Sequence, residues 1–264
     1  MNDAVDGNSG LLRYHRQTVF RALGLEGQRR LAAGRALIVG MGGLGTWLAE
    51  LLARAGVGFL RIVDDDQVDL TNIHRQSLYD ESDAAAARSK VIAAAERLAA
   101  VNSDVNIEPV AKRVDHVSIA RLADDMDVLL DGTDNFATRY LINDYAVKTH
   151  RPWVFAGAVG AEAQTMTIVP GRTACLRCVL PAPPPACTEP TCRSAGVLGP
   201  AVAAVAAFQA GEAIKILAGH IEAISPYLLK FDMWANSVQR LDAIAARRSD
   251  CACCGHGEFE FLEP

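Results

Sequence analysis

The sequence predicts an α/β fold: a doubly wound, mostly parallel sheet with an antiparallel C-terminal half. Up to about residue 160, short apolar segments rich in β-branched residues alternate with segments of helical periodicity. This alternation is typical of parallel strands joined by right-handed helical crossovers. Residues 164–170 and 227–232 are alternating apolar strands without intervening helices, which predicts the antiparallel half.

The spacing at which apolar residues recur predicts the position of each strand and helix. The predicted strands are 35–39, 59–63, 106–110, 128–131, 153–158, 164–170 and 227–232. The predicted helices are 11–32, 44–55, 88–101, 118–123 and 137–149. Glycine and proline interrupt the apolar run 195–208, whereas a membrane span needs about 20 uninterrupted apolar residues. We therefore expect a buried alanine-rich helix at a subunit or domain contact, and no membrane association.

Length and composition bound the organisation of the chain. The 264 residues are 50% hydrophobic and 22% charged, which suits one main domain with a smaller appendage. We divide them into an N-terminal helical segment (1–34), a nucleotide-binding half (35–160), a second half (161–255) and a tail (256–264). Five prolines in residues 181–190 predict an exposed crossover loop, 181–194, within the second half.

The same composition excludes some classes of function. The net charge of −5 argues against sequence-independent nucleic-acid binding, which needs a basic surface. Residues 1–10 are polar and acidic, so no secretory signal is visible. We expect a cytoplasmic protein in which thiols stay reduced.

A glycine turn follows the first predicted strand. Gly40, Gly42, Gly43 and Gly45 lie where the strand ends and a helix begins, an arrangement whose backbone amides and helix dipole bind phosphate. Asp64 ends the next strand, where a carboxylate can accept hydrogen bonds from ribose hydroxyls. The pattern predicts a Rossmann-like nucleotide site, and alone it fits NAD or FAD as well as ATP.

A polar segment then favours a triphosphate. Asn72, Arg75 and Gln76 follow Asp64, and Lys90 comes further on. A guanidinium, an amide and an ammonium after the ribose-binding strand suit a ligand whose negative charge must be neutralised during reaction.

At this point the chain resembles the ThiF/MoeB family of sulfur-carrier-protein adenylyltransferases, which are relatives of the ubiquitin-activating enzymes. The similarity runs in family order from residue 11 to about residue 255. The matching segments are 13–17, 40–45, 64–76, Lys90, 131–135, 175–178, 192–197 and 251–254. The loop Ala87-Arg88-Ser89-Lys90 departs from the Gly-Lys-Pro-Lys-like run that is common in the family.

The resemblance implies specific roles for these residues. ATP would contact Gly40, Gly42, Gly43, Gly45, Asp64, Asn72, Arg75, Lys90, Thr133 and Asp134. Asp134 would coordinate Mg²⁺. Arg16 would reach across a homodimer interface to the γ-phosphate of the ATP bound by the partner subunit. The catalytic set would be Arg16, Arg75, Lys90, Asp134 and Cys192.

Several of these residues also have simpler interpretations. Asp134 suits a helix N-cap. Lys90 could be a solvated surface lysine, Arg16 one more exposed arginine, and the triplet 64–66 a solvated strand end.

Four cysteines predict a structural zinc site. Cys175 with Cys178, and Cys251 with Cys254, form two Cys-x-x-Cys pairs that provide four thiolates for a tetrahedral ion. Two unrelated thiol pairs or a redox dithiol are the alternatives. Cys253 could substitute for Cys254 as the fourth ligand, although the spacing favours Cys254.

Two further cysteines lie in or beside the proline-rich loop. Arg193 follows Cys192 and would lower the pKa of its thiol. The resemblance makes Cys192 a candidate nucleophile that attaches to the activated carrier, while a surface thiol without catalytic duty is the other interpretation. Cys187 is assigned no role.

The function implied is ATP-dependent adenylation of the C-terminal glycine of a ubiquitin-like sulfur-carrier protein that ends in Gly-Gly. Pyrophosphate leaves and the carrier is prepared for thiocarboxylate formation. We expect a separate sulfur donor, because no rhodanese-like domain follows residue 255. The alternatives are adenylation of a small peptide in natural-product biosynthesis, an NAD-dependent oxidoreductase, and a non-catalytic scaffold.

Overall fold

The computed structural model describes residues 9–184 and 195–263. The strands are β1 (Arg35–Val39), β2 (Phe59–Val63), β3 (Asn106–Val110), β4 (Val128–Asp131), β5 (Trp153–Val159), β6 (Glu162–Ile168), β7 (Tyr227–Asp232) and β8 (Ser237–Asp242). The α-helices are α1 (His15–Thr18), α2 (Gly24–Ala33), α3 (Gly43–Ala55), α4 (Glu81–Ala85), α5 (Lys90–Val101), α6 (Ile119–Ala123), α7 (Phe136–Lys148), α8 (Leu176–Val179) and α9 (Gly199–Leu217). Short 3₁₀ helices cover Ser9–Tyr14, Leu70–Asn72 and Ile221–Ala223.

All eight strands form one continuous mixed sheet in the order β3-β2-β1-β4-β5-β6-β7-β8. The first five strands in this order, β3-β2-β1-β4-β5, pair in parallel. The remaining pairs, β5-β6, β6-β7 and β7-β8, are antiparallel. This confirms the predicted Rossmann-like sheet with an antiparallel half. The strand order reverses between β1 and β4, and ligands bind at the carboxyl ends of strands at such a switch point.

The parallel strands are buried on both faces, which explains their continuous apolar sequences. Consecutive residues of β1 alternate between two cores: Ile38 belongs to the core with α3, α5 and α9, and Leu37 to the core with α6 and α7. The crossover helices therefore cover both faces of the sheet.

Helix α9 is a core element. It packs against α3 and against strands β4 to β6. The buried Gln209 amide donates to the carbonyls of Asp131 and Val154, both at 3.0 Å, and so ties the helix to two strands. Within the described part of the chain, α9 is the single helix with the length and hydropathy of a membrane span. Its packing accounts for that composition, because core helices share it.

The N-terminal helix and the last strand differ from prediction. The predicted helix 11–32 is wrong: a 3₁₀ turn, α1 and α2 cover it, and Gly24 has a φ of +64°, outside the helical region. Strand β8 was missed because all six of its residues are exposed, so its sequence carries no alternation of apolar and polar residues.

Close backbone contact fixes the glycine turn against the sheet. A Cβ on Gly45 would lie 1.9 Å from the carbonyl oxygen of Gly40, and one on Gly132 would lie 2.3 Å from the same oxygen. Glycine at these two positions is therefore required for the packing of α3 and β4 on the end of β1.

We expect Gly45→Ala to lower the free energy of unfolding by about 1–3 kcal/mol, the usual cost of overpacking. Gly211→Ala is the matched control: Gly211 lies inside α9 with open space around its Cα, and alanine should stabilise the helix by about 1 kcal/mol. Urea unfolding of both variants measures the difference. Equal stability of the two would contradict the close contact.

Candidate nucleotide site and cysteine cluster

The N-terminus of α3 faces an open space at the switch point. Gly42 caps this helix, and the first backbone amides of a helix have no partner within it. A Cβ on Gly42 would have the Gln76 Nε2 atom at 3.8 Å as its nearest neighbour. An anion can therefore approach the helix dipole at its positive end.

Asp64 joins the end of β2 to this turn. Its carboxylate accepts hydrogen bonds from the backbone amides of Met41 at 2.6 Å and Asp66 at 2.8 Å. Burial raises the pKa of Asp64, while the charge of Lys90 and the Met41 amide oppose this rise. Each carboxylate oxygen keeps a further lone pair, so ribose hydroxyls could still donate to it.

Lys90 is buried at the start of α5, so the solvated-lysine interpretation is wrong. Its side chain is 6% exposed, and its Nζ lies 2.7 Å from the Asp66 carboxylate, whose own side chain is 67% exposed. Carboxylate oxygens of Asp64 and Asp66 lie within 4.8 Å of each other, so the ammonium is also close to Asp64, the predicted ribose-binding residue.

The loop before Lys90 is closed by hydrogen bonds despite its unusual sequence. The Arg88 amide donates to Asp83, and the Val68 amide donates to Arg88. The Arg88 guanidinium binds the Asp83 carboxylate at 2.9 Å. Ala87 has a φ of +45°, a left-handed conformation that favours glycine.

Arg75 lies across the N-terminus of α3. Its Cγ and Cδ atoms would be 3.5 Å from a Cβ on Gly43. Its Nη2 donates to the Asn72 side chain at 2.7 Å. The structure therefore places Arg75 at the glycine turn, with Asn72 hydrogen-bonded to it.

A buried ion pair that sequence reasoning missed holds the loop after β4. Arg139 Nε donates to the Asp131 carboxylate at 3.0 Å, and its Nη2 donates to the carbonyls of Thr133 at 2.8 Å and Ala156 at 3.0 Å. Asp131 also accepts from the amide and hydroxyl of Thr133. Burial raises the pKa of Asp131, and Arg139 opposes this rise.

Asp134 follows this loop and is exposed. The N-cap of α7 is Asn135, whose side chain accepts from the Thr138 amide at 2.9 Å. The N-cap interpretation of Asp134 is therefore wrong, and its carboxylate stays available at the carboxyl end of β4.

Arg16 lies far from the turn within one subunit. Neighbouring residues anchor its segment at the other end of α3: Gln17 donates to the Ala55 carbonyl, and the Tyr14 hydroxyl accepts from Asn102. Thirteen helical residues separate the two ends, a length of about 20 Å at 1.5 Å per residue. The Arg16 side chain is exposed.

Four cysteine sulfurs converge between α8 and the end of the chain. The separations are 3.9 Å for Cys175–Cys178, 3.6 Å for Cys175–Cys251 and 3.3 Å for Cys178–Cys254. Zn–S bonds of about 2.3 Å give sulfur separations near 3.8 Å around a tetrahedral ion. The four thiols therefore have the donor set and spacing of a zinc site.

Cys253 is not one of the four cysteines whose sulfurs lie within 4.8 Å of one another. Its sulfur accepts a hydrogen bond from the Asn143 side chain at 3.3 Å. The geometry thus supports Cys254, as the spacing favoured. Cys187 and Cys192 lie outside the described residues.

The tail packs onto α7 and α8, a placement that sequence reasoning did not provide. The Phe261 amide donates to Asp144 at 3.1 Å, and its ring lies 4.9 Å from that of Tyr140. Arg177 donates to the Glu258 carbonyl and the Glu260 carboxylate.

We expect Ala87→Gly to raise the free energy of unfolding by about 0.5–1 kcal/mol, because it removes left-handed strain. Ala86→Gly is the control: Ala86 has a φ of −88°, so glycine there should destabilise by about 0.5–1 kcal/mol through backbone entropy. Denaturant titrations measure both. A loss of stability in Ala87→Gly would show that the loop does not hold this conformation in solution.

Comparison with known proteins gives the same fold and family. The profile of the ThiF family matches residues 14–253. The Sulfur carrier protein ThiS adenylyltransferase of Bacillus subtilis is 42% identical over 250 residues, which cover 95% of this chain and 73% of that protein. The Adenylyltransferase and sulfurtransferase MOCS3 of Sus scrofa is 44% identical over 245 residues, covering 93% of this chain and 53% of the relative. The chain thus spans about half the length of MOCS3.

A crystal structure of E. coli MccB with ATP superimposes with a TM-score of 0.80 at 23% identity, covering 92% of this chain and 74% of that one. This likeness concerns the fold alone. The family profile and the identity to the Bacillus protein together show that the chain belongs to the ThiF family.

Proposed function

We propose that the protein adenylates the C-terminal glycine of a ubiquitin-like sulfur-carrier protein with ATP. The observation that carries this proposal is the presence of two cationic side chains beside the glycine turn. Arg75 lies across Gly43, and buried Lys90 lies beside Asp64. Such a pair suits a triphosphate better than a nicotinamide dinucleotide, which needs no second cation at its diphosphate.

The chemistry follows from the charges of the site. Asp64 accepts from the ribose, and the phosphates lie at the N-terminus of α3. The ionised carboxylate of the carrier attacks the α-phosphorus, the bond to the bridging oxygen breaks, and pyrophosphate leaves as Arg75 and Lys90 neutralise its charge. No general base is required, because the attacking carboxylate is already deprotonated. A sulfide-level sulfur nucleophile from a separate donor then attacks the acyl carbon, the bond to the phosphate oxygen breaks, and AMP leaves as the thiocarboxylate forms.

Two groups would assist this reaction. Asp134 offers a hard oxygen ligand for Mg²⁺ beside the glycine turn. Arg16 cannot reach the turn of its own subunit across the length of α3, so we assign it to the site of a partner subunit in a homodimer. Cys192 stays a candidate acceptor of the activated carrier.

The relatives support a protein carrier as substrate. Their names describe a ThiS adenylyltransferase and an adenylyltransferase and sulfurtransferase, at 42% and 44% identity. One MccB structure contains N-formylated MccA, which keeps a peptide substrate as the alternative, although 22% identity supports only the common fold. Exchange of ³²P-pyrophosphate into ATP tests the choice, with a panel of Gly-Gly carriers compared with a small peptide that has a free C-terminal carboxylate. Exchange that occurs with the peptide and with none of the carriers would overturn the proposal that a carrier protein is the substrate.

We expect Arg75→Ala and Asp134→Ala to fold but to lose carrier-dependent pyrophosphate exchange by about 10²-fold or more, because each removes a group that stabilises charge in the transition state. Arg54→Ala is the control, since Arg54 pairs with Glu50 at the far end of α3 and should keep exchange. Exchange at the normal rate in Arg75→Ala or Asp134→Ala would remove that residue from the mechanism.

Mixed dimers test Arg16. We expect Arg16→Ala and Asp134→Ala to be inactive separately, and a mixture allowed to exchange subunits to recover activity, because the mixed dimer has one site with both residues intact. Pyrophosphate exchange after mixing measures the recovery. If activity does not return although mass spectrometry detects mixed dimers, Arg16 does not act across the interface.

We propose zinc as the ion of the four-cysteine cluster. Cys175→Ser should lose the metal and thermal stability, since the ion joins residues 76 positions apart. Cys253→Ser should keep the metal, because Cys253 is outside the group of four cysteines whose sulfurs lie within 4.8 Å of one another. Metal analysis of freshly reduced protein is the measurement. A native protein without bound metal would contradict the proposal that the four cysteines hold zinc.

A further inference from the structure

Gln76 is a buried residue whose side-chain oxygen has no hydrogen-bond partner in the described ranges. The residue is 3% exposed. Its Oε1 atom has no hydrogen-bond partner among residues 9–184 and 195–263. A buried polar atom without a partner destabilises a folded protein, so its presence calls for a specific explanation.

This amide lies at the glycine turn. The Gln76 Nε2 atom would be 3.8 Å from a Cβ on Gly42, the N-cap of α3. The next residue, Ser77, also has a buried hydroxyl without a partner in the described ranges, and its amide donates to Thr46 in the first turn of α3. The Gln76 Nε2 donor therefore lies where the helix dipole attracts an anion, and the Ser77 hydroxyl is a second donor in the same segment.

We propose that Gln76 donates a hydrogen bond from its amide to the α-phosphate of the bound nucleotide. The inference rests on the proposed adenylation and adds a nucleotide-binding residue to Arg75 and Lys90. Asp64, which would bind the ribose, contacts the amide of Met41. Gly42, which faces Gln76, follows Met41 at one Cα step of about 3.8 Å. The phosphate nearest the ribose is the α-phosphate.

A neutral donor suits this position. Arg75 and Lys90 carry the charges that pyrophosphate needs as it leaves. The α-phosphorus instead must be held in line for attack, and it remains bound in the acyl-adenylate. Orientation by a preorganised amide meets that requirement without adding charge.

The substitution Gln76→Met tests the inference, because methionine keeps the length of the side chain and removes the amide. We expect unchanged or higher thermal stability, since the unpartnered oxygen is lost. Affinity for AMP should fall about tenfold to a hundredfold, the range for a hydrogen bond to a charged group, and affinity for adenosine should not change. Calorimetric titration of the full chain with AMP, adenosine and ATP separately gives these values.

Gln28→Met is the matched control. Gln28 is fully buried, but its amide is satisfied: Nε2 donates to the Ala55 carbonyl at 2.9 Å, and Oε1 accepts from Gln17 at 2.7 Å. This variant should lose thermal stability and keep its affinity for AMP. Gln76→Glu, which keeps the shape but places a carboxyl group against phosphate, is a second test with a larger loss expected.

The possible outcomes separate the proposals. Unchanged AMP affinity in Gln76→Met and Gln76→Glu, or an equal loss for AMP and adenosine, would overturn the contact. A loss for ATP without a loss for AMP would place the contact on the β- or γ-phosphate and overturn the assignment to the α-phosphate. If the unaltered protein binds AMP more tightly than adenosine but exchanges no pyrophosphate with any carrier, adenylation fails while the phosphate contact stands.

Discussion

The contact of three glycines at the switch point constrains the rest of the site. Gly45 and Gly132 both lie against the carbonyl oxygen of Gly40, so α3 begins directly on the seam between β1 and β4. No side chain fits into that seam. The position of the turn relative to the sheet is consequently fixed. There the Met41 amide donates a hydrogen bond of 2.6 Å to the carboxylate of Asp64, which follows β2. The loop after β4 comes to the same place because Gly132 donates to Val39.

The cations around this turn differ in how firmly their partners hold them. Asp131 and Arg139 are both buried, so separating them would leave an uncompensated charge, and the pair acts as fixed structure. Lys90 is equally buried, but its partner Asp66 is mostly exposed. Under the proposed function, a phosphate would replace Asp66 beside Lys90, and Asp66 would return to water at little cost. The Asp131–Arg139 pair would stay intact, whereas Lys90 would exchange one anion for another.

Local patterns predicted the parallel sheet well, because buried strands are continuous apolar segments and their ends coincide with glycine or aspartate. The same patterns could not predict β8, which has no buried face, or the break before α2, where Gly24 leaves the helical region. The sequence order of Asn72 and Arg75 placed them after the predicted ribose-binding strand, whereas the position of Arg75 against Gly43 depends on the fold. The burial of Lys90, the Asp131–Arg139 pair and the unpartnered Gln76 side-chain oxygen depend on tertiary packing, which no spacing in the sequence records.

The cysteine cluster has a consequence for the order in which the chain assembles. Cys175 and Cys251 are 76 positions apart, and α9, β7 and β8 lie between them. During vectorial synthesis the first thiol pair emerges long before the second. Helix α9 also emerges before the second pair, so it can pack against the sheet before the four thiols meet. A metal held by all four thiols would bind only after residue 254 has left the ribosome, and it would then join two segments whose intervening elements have already been synthesised.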